Sequence, residues 1–219
     1  MDSERTNDNT VTVLVAGDLN RSDALHAPVG NFEIVGRSVT GNDAINDVLT
    51  ELPDVMLLDV RIEDVDPRAV CRRLREWAPA TKIVAATPID DERAYTTIVA
   101  GAAGAVSLQA DHELLARTIR EVARGEAVLL SRMAGRLLHD LDAWAQRSAD
   151  PLYPPPSLTA TEREVLTRLS KGDDPDTIAQ AHAVTSHLVN LHAGFAVGKL
   201  HRYVHGSERI AAEGHTTGG

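Results

Sequence analysis

Two aspartates and a threonine stand where a parallel β-sheet would place its chemistry. Asp18 and Asp59 each close a short apolar run, and Thr87 closes a third. Such β-branched runs predict buried parallel strands, and ligands bind beyond the carboxyl ends of those strands. We therefore expect the three side chains to meet at one edge of a sheet. Two carboxylates and a hydroxyl at that edge could hold a divalent cation and a phosphoryl group.

The composition fits a cytoplasmic protein of two modest domains. The chain has 219 residues, of which 43% are hydrophobic, so global disorder is excluded. Its single cysteine, Cys71, excludes a disulfide framework and fits a reducing compartment. No apolar stretch approaches the roughly 18 residues of a membrane span, and the polar residues 1–10 form no signal peptide. We expect residues 1–10 to be a disordered tail.

Apolar strand patterns alternate with helical patterns over residues 11–125. This alternation predicts an α/β doubly wound domain with a parallel sheet. The predicted strands cover 11–16, 33–37, 55–59, 82–86 and 104–107, and the predicted helices cover 20–27, 42–51, 67–77, 90–101 and 111–124.

The pattern after residue 125 is entirely helical, apart from one Pro-rich run. A helix over 131–147 and the prolines that follow it predict a linker over 126–156. Thr159 and Glu162 have the spacing of a capping box, Pro175 suits the first turn of a second helix, and Thr185 can cap a third. With a short fourth helix near 206–213, residues 157–212 would form a helix-turn-helix domain, and 213–219 a disordered tail.

Motifs in both parts of the chain resemble bacterial response regulators of the NarL/FixJ type. That family joins a flavodoxin-like receiver domain to a four-helix LuxR-type helix-turn-helix domain. The matching segments are Leu57-Leu58-Asp59, Gly101-Ala102-Ala103-Gly104-Ala105, the run SLTATEREVL at 157–166, Val189-Asn190-Leu191-His192 and Lys199-Leu200. The resemblance implies a DNA-binding transcription regulator of a two-component system, with Asp59 as phosphoacceptor and with Asp18, Asp59 and the backbone carbonyl of Arg61 holding Mg²⁺. The excess of arginine over lysine points to a GC-rich genome, and the resemblance implies an actinobacterial source.

The receiver pocket departs from the family pattern at two positions. Gly17 replaces one acid of the family's metal-binding pair, and Leu108 replaces its phosphate-pairing lysine. A carboxylate nucleophile needs nearby cationic charge to offset charge developing on phosphoryl oxygens. We therefore expect an atypical, orphan receiver with a degenerate pocket (Gly17, Asp18, Thr87, Leu108), an unused Asp59, and no cofactor beyond weakly held Mg²⁺. The alternative is a conventional regulator phosphorylated on Asp59, and a small ligand in place of phosphorylation is left open.

The resemblance implies that the helix starting near Thr185 enters the DNA major groove. The expected contacts are to phosphates from Thr185, Ser186 and Lys199, and to bases from His187, Asn190 and Leu191, with Gly194 on the same face.

The charge of the chain bears on how tightly it can bind DNA. Residues 157–219 hold six basic and seven acidic side chains, which is a weak positive field for a DNA binder. We expect promoter binding as a homodimer or, more tightly, as a heterodimer with a related response regulator. The alternative is a protein-interaction module that pairs with such a regulator without touching DNA. The chain has no nucleophile–base pair, P-loop or dinucleotide fingerprint, so we do not expect an enzyme.

Overall fold

The N-terminal part of the chain contains one five-stranded parallel sheet. The computed structural model describes residues 10–19, 32–88, 92–146 and 156–216. Its strands are β1 (Val11–Ala16), β2 (Phe32–Ser38), β3 (Val55–Asp59), β4 (Lys82–Thr87) and β5 (Gly104–Ser107). They pair in the order β2-β1-β3-β4-β5, with every pair parallel. The predicted doubly wound sheet is confirmed, and each strand begins and ends within one residue of its predicted position.

Three helices connect successive strands from β2 to β5, a fourth follows β5, and together they cover both faces of the sheet. They are α1 (Gly41–Glu51), α2 (Pro67–Trp77), α3 (Glu92–Ala100) and α4 (His112–Ala123). The side chains of Thr40, Asp66 and Asp111 accept backbone N–H groups at the first turns of α1, α2 and α4. These caps fix where the helices begin, because they satisfy donors that have no partner within the helix. The predicted helix at 20–27 lies outside the described residues.

The C-terminal part contains α5 (Ser131–Gln146), α6 (Ala160–Ser170), α7 (Pro175–His182) and α8 (Ser186–Thr216). The predicted capping box is present, because the hydroxyl of Thr159 accepts from the Glu162 N–H and the Glu162 carboxylate accepts from the Thr159 N–H. The Pro-rich run falls mostly in residues 147–155, outside the described part of the chain.

The prediction of a separate fourth helix near 206–213 is wrong. Helix α8 continues through this segment and into the predicted tail, so three helices, not four, follow the Pro-rich run in the described residues. A glycine such as Gly206 weakens a helix by about 1 kcal/mol and does not by itself end it. Although α8 is long, no helix of the described residues is long and apolar enough to cross a membrane.

One apolar cluster joins the two parts of the molecule. It extends from one face of the sheet through Leu137 and Leu141 of α5 to Leu166 of α6 and Leu200 of α8. Helix α5 is also tied to α3, since the Tyr95 hydroxyl donates to Asp140 at 2.6 Å. The predicted linker helix is thus part of the shared core, and the receiver-like sheet and the C-terminal helices pack as one body.

Truncation of Leu137 should destabilise both parts of the chain together. The Leu137 side chain is fully buried, so Leu137→Ala removes apolar contacts and leaves a cavity that costs about 2–5 kcal/mol of unfolding free energy. Leu114→Ala is the control, because Leu114 is 48% exposed and its loss should cost about 0.5 kcal/mol or less. Urea unfolding followed by circular dichroism measures both. Equal stability of the two variants would contradict the shared core.

Candidate functional site

The carboxylate of Asp59 is held by the arginine two residues after it. Asp59 is 2% exposed at the end of β3. Its Oδ1 accepts from the backbone N–H and from Nε of Arg61, both at 2.9 Å, and its Oδ2 accepts from Nη2 of Arg61 at 2.7 Å. This two-point contact of guanidinium with carboxylate is the strongest common geometry for such a pair. It neutralises Asp59 and occupies both of its oxygens.

The backbone of residue 17 lies so close to Asp59 that only glycine fits at this position. The φ of Gly17 is +100°, and a Cβ built on it would lie 2.6 Å from Cβ of Asp59. A side chain at this position would be strained by its backbone and would collide with the phosphoacceptor position. The absence of a carboxylate at residue 17 is therefore a property of the local backbone and not only of the side-chain type. The neighbouring Asp18 is exposed.

Thr87 and Leu108 are turned to other partners. The buried Thr87 hydroxyl donates to the carbonyl of Pro88 at 2.7 Å. Leu108 donates its backbone N–H to the Thr87 carbonyl at 2.8 Å and packs against the apolar cluster under α4. A cavity at the sheet edge is lined by Gly17, Asp18 and Asp59 and by neither of these two residues. The structure thus brings together three of the five residues predicted for the receiver pocket.

The residues at this edge do not fit a Mg²⁺ site. Mg²⁺ requires free carboxylate oxygens in near-octahedral geometry, and both oxygens of Asp59 accept from Arg61. A third carboxylate nearby, Asp64, accepts from the backbone N–H groups of Gly41 and Asn42 and so caps α1. Burial tends to raise the pKa of Asp64, but these hydrogen bonds outweigh it and lower the pKa.

Helices α7 and α8, with a tight turn between them, lie where the sequence predicts a helix-turn-helix. Ala183 adopts the left-handed conformation at the turn, and the Thr185 hydroxyl accepts the Leu188 N–H at the start of α8. The inner face of α8, with Val189, Ala193 and Leu200 buried, packs on α6 and α7. This packing holds the second helix of the motif at a fixed angle to the first.

The outer face of α8 lies against the receiver-like domain. Nδ1 of His187 donates to Oε1 of Glu126 at 2.8 Å, and the Asn190 carbonyl accepts the Ala127 N–H at 3.2 Å. A Cβ on Gly194 would lie 3.1 Å from the carbonyl oxygen of Gly125. The side chain of Asn190 is 2% exposed, so this face cannot enter a DNA groove in the arrangement that the structure has.

The same face continues along α8 against α2 and α3. Nε2 of His201 donates to the carbonyl of Ile98 at 2.7 Å, and Nη2 of Arg75 donates to Nδ1 of His205, also at 2.7 Å. Burial lowers the pKa of His201 to about 4, with the nearby positive charge of Arg75 acting in the same direction and the Ile98 carbonyl opposing it. His201 is therefore neutral at this contact.

The remaining predicted DNA contacts are spread around the start and middle of α8. Thr185 is exposed, and Ser186 and Leu191 are half-buried. Lys199 donates from Nζ to Oε2 of Glu162 at 2.6 Å and to the Ser157 carbonyl at 2.9 Å, so its charge stabilises the start of α6. Burial tends to raise the pKa of Glu162, but the contacts with Lys199 and Thr159 outweigh it and lower the pKa.

Of the two residues that matter here, Arg61 was expected from the sequence only to offer its backbone carbonyl to Mg²⁺, and Glu126 was not singled out. An arginine two positions after a strand-end aspartate is a signal that could have suggested the ion pair with Asp59. Glu126 carries no comparable signal, because its partner His187 is 61 residues away along the chain.

Known proteins similar to this chain are response regulators. LiaR of Bacillus subtilis, a transcriptional regulatory protein, is 29% identical over 175 residues, which are 78% of this chain and 79% of that protein. The regulatory protein named NarL of Mycobacterium tuberculosis is 29% identical over 184 residues, which are 84% of this chain and 81% of that protein. No protein-family model matches the chain.

Solved structures give the same relationship for the N-terminal part. The signal receiver domain of NarL from Mycobacterium tuberculosis is 26% identical, covers 53% of this chain and 98% of that one, and superposes with a TM-score of 0.50. A LuxR-family response regulator from Aurantimonas shares the fold at 18% identity and a TM-score of 0.52, over 60% of this chain and 97% of that one. By sequence over most of its length, and by the fold of its receiver domain, the chain is a relative of the NarL/LuxR-type response regulators.

Proposed function

We propose that this protein is a DNA-binding transcription regulator whose receiver domain controls α8 by contact and not by phosphorylation of Asp59. The observation that carries the proposal is the packing of His187, Asn190 and Gly194 against the segment that joins α4 to α5. These residues lie on the face that a helix-turn-helix presents to DNA. Promoter binding then requires α8 to leave the receiver domain.

Independence from phosphorylation is supported by the surroundings of Asp59. A phosphoacceptor needs a free oxygen to attack phosphorus and cationic charge to stabilise the product. In this chain the guanidinium of Arg61 contacts both carboxylate oxygens of Asp59. Leu108, at the position of the family's lysine, supplies no charge. Arg61 thus gives Asp59 a cationic partner from its own loop, where a metal ion would otherwise supply the positive charge.

Charge supports binding as a dimer with a related subunit. Six basic against seven acidic side chains in residues 157–219 leave little net attraction to phosphates, and Lys199 is engaged by Glu162. Two copies of a helix-turn-helix, spaced about one DNA turn apart, restore affinity when one copy binds weakly. A more basic partner would supply the missing contacts, and a homodimer remains the simpler form.

Phosphodonors should leave the protein unchanged. Incubation with acetyl phosphate and Mg²⁺ should add no mass, because Arg61 shields Asp59 and no cation replaces the family's lysine. The double variant Arg61→Ala, Leu108→Lys frees the oxygens and restores a cation, so it is the variant in which labelling should appear. Intact-mass spectrometry reads both, with Asp59→Ala as the control for the labelled position. Stoichiometric labelling of the wild-type protein at Asp59 would make this a conventional receiver.

A methyl group at Gly194 should increase DNA affinity. In Gly194→Ala the new Cβ lies 3.1 Å from the Gly125 carbonyl and 3.3 Å from the Ala127 nitrogen, which weakens the contact between α8 and the receiver. Gly198→Ala is the matched control, because it gives the same gain in helix propensity of about 1 kcal/mol while its Cβ meets only the flexible Arg202 side chain at 3.6 Å. Binding to promoter fragments at fixed salt compares them. Equal affinities would argue against control by contact.

A promoter-binding assay with and without a related regulator separates the proposed function from a pure interaction module. We expect weak binding by the chain alone and tighter binding when a more basic subunit shares the site. Asn190→Ala should then relax base preference by about 1–3 kcal/mol. If the chain lowers the affinity of the related subunit for DNA, and the Asn190 variant does so equally, the protein titrates its partner without contacting DNA.

A further inference from the structure

A cavity of about 300 Å³ lies between the receiver domain and α8. The receiver side is formed by α2, β4 and the turns that contain Gly101 and Gly125, and the other side is formed by Gly194, Gly198 and His201 of α8. The volume is at the lower end of the range for sites that bind small molecules. The cavity is separate from the sheet edge that holds Asp59, and it borders the predicted DNA-facing side of α8 only at Gly194.

The charged groups around the cavity favour an anion. Arg75 and Lys82 contribute two positive charges, and Glu126 is the acidic residue of the lining. The Glu126 carboxylate is already engaged by His187 at 2.8 Å and by Nη1 of Arg124 at 3.6 Å. The unbalanced charge that faces the cavity is therefore positive.

Arg75 also has an unused donor. Its Nη1 donates to the Ala100 carbonyl at 3.4 Å and its Nη2 to His205, but its Nε is buried and has no hydrogen-bond partner among the described residues. A buried donor without an acceptor costs about 1–3 kcal/mol. Arg75 lines the cavity, and the planar donors of its guanidinium match the two oxygens of a carboxylate or phosphate, so this residue is suited to a bound anion.

The small residues of α8 create the space. Gly194 and Gly198 are one helical turn apart and both line the cavity. A Cβ on Gly194 would meet the receiver backbone, whereas a Cβ on Gly198 would meet only the end of the Arg202 side chain, at 3.6 Å. A longer side chain at 198 would thus extend along the cavity without a backbone collision.

From these features we propose that the cavity binds a small organic anion of about the size of citrate, with its acidic group on Arg75. The ligand would touch the receiver domain and α8 at once. A ligand that binds only when both sides are together favours that arrangement in proportion to its affinity. It would therefore hold α8 on the receiver and lower the affinity for promoter DNA, which makes the anion the input signal of a receiver without phosphorylation. This step rests on the proposed function, whereas the binding site itself does not.

Calorimetric titration of the full chain tests the site. The probes are citrate for a carboxylate, glycerol 3-phosphate for a phosphate, and glycerol as a neutral control, all at constant ionic strength. We expect saturable binding of at least one anion and none of glycerol. Arg75→Met should weaken binding about tenfold or more, which is the size of a lost charged hydrogen bond, and Gly198→Met should weaken it by filling the cavity. Arg72→Met, an exposed arginine on the same helix, is the matched control and should bind like wild type.

The outcomes of this experiment separate the site from the function. No saturable binding of either anion, or equal binding by wild type, Arg75→Met and Gly198→Met, overturns the site, provided that thermal unfolding shows both variants to be folded. If the anion binds and the variants lose it, promoter affinity is measured with and without the anion. A lower affinity with the anion supports the signal, and an unchanged affinity refutes it while leaving the site intact. Absence of any DNA binding would refute the proposed function alone.

Discussion

Glu126 is a buried carboxylate, and a buried charge is stable only when charged and hydrogen-bonding groups surround it. At 1% exposure it draws one partner, Arg124, from the receiver domain and another, His187, from α8. The contact of α8 with the receiver therefore supplies one of these two partners of Glu126, namely His187. Removing α8 would leave the carboxylate paired with Arg124 alone at 3.6 Å, unless it became exposed to water at the same time. The pair of Glu126 and His187 therefore adds a polar contact to the apolar cluster that holds α8 on the receiver domain.

At the opposite end of the sheet, the buried carboxylate of Asp59 is likewise stabilised by a positively charged partner, Arg61. A buried carboxylate at the end of β3 needs a cation, and the family's lysine position holds Leu108. Arg61 supplies the cation from the same loop, so the site no longer needs a charge delivered from β5 or from solution. Gly17 also approaches Asp59 so closely that there is no room for a second carboxylate at residue 17. Gly17 and Arg61 therefore both act on the Asp59 carboxylate.

How far the sequence predicts this molecule depends on the range of the interactions. The strands and the capping box of Thr159 and Glu162 are local, and the patterns around them predicted them. The continuity of α8 through residues 206–213 was missed, because a separate helix was predicted there. The burial of Asn190 was missed for a different reason. Nothing in a helix-turn-helix pattern indicates that a receiver segment more than 60 residues earlier covers its outer face.

Weak DNA binding by this chain would have two causes that the structure separates. A closed population reduces the apparent affinity by the fraction of molecules that are open, and it leaves the number of phosphate contacts unchanged. A deficit of basic residues reduces the number of contacts and so flattens the dependence of affinity on salt. Opening the molecule by Gly194→Ala therefore shifts the line of log affinity against log salt without changing its slope, whereas a more basic partner steepens it. The slope of this line reports on the number of phosphate contacts, and its intercept reports on the contact between α8 and the receiver. Affinities measured over a range of salt concentrations therefore give both quantities.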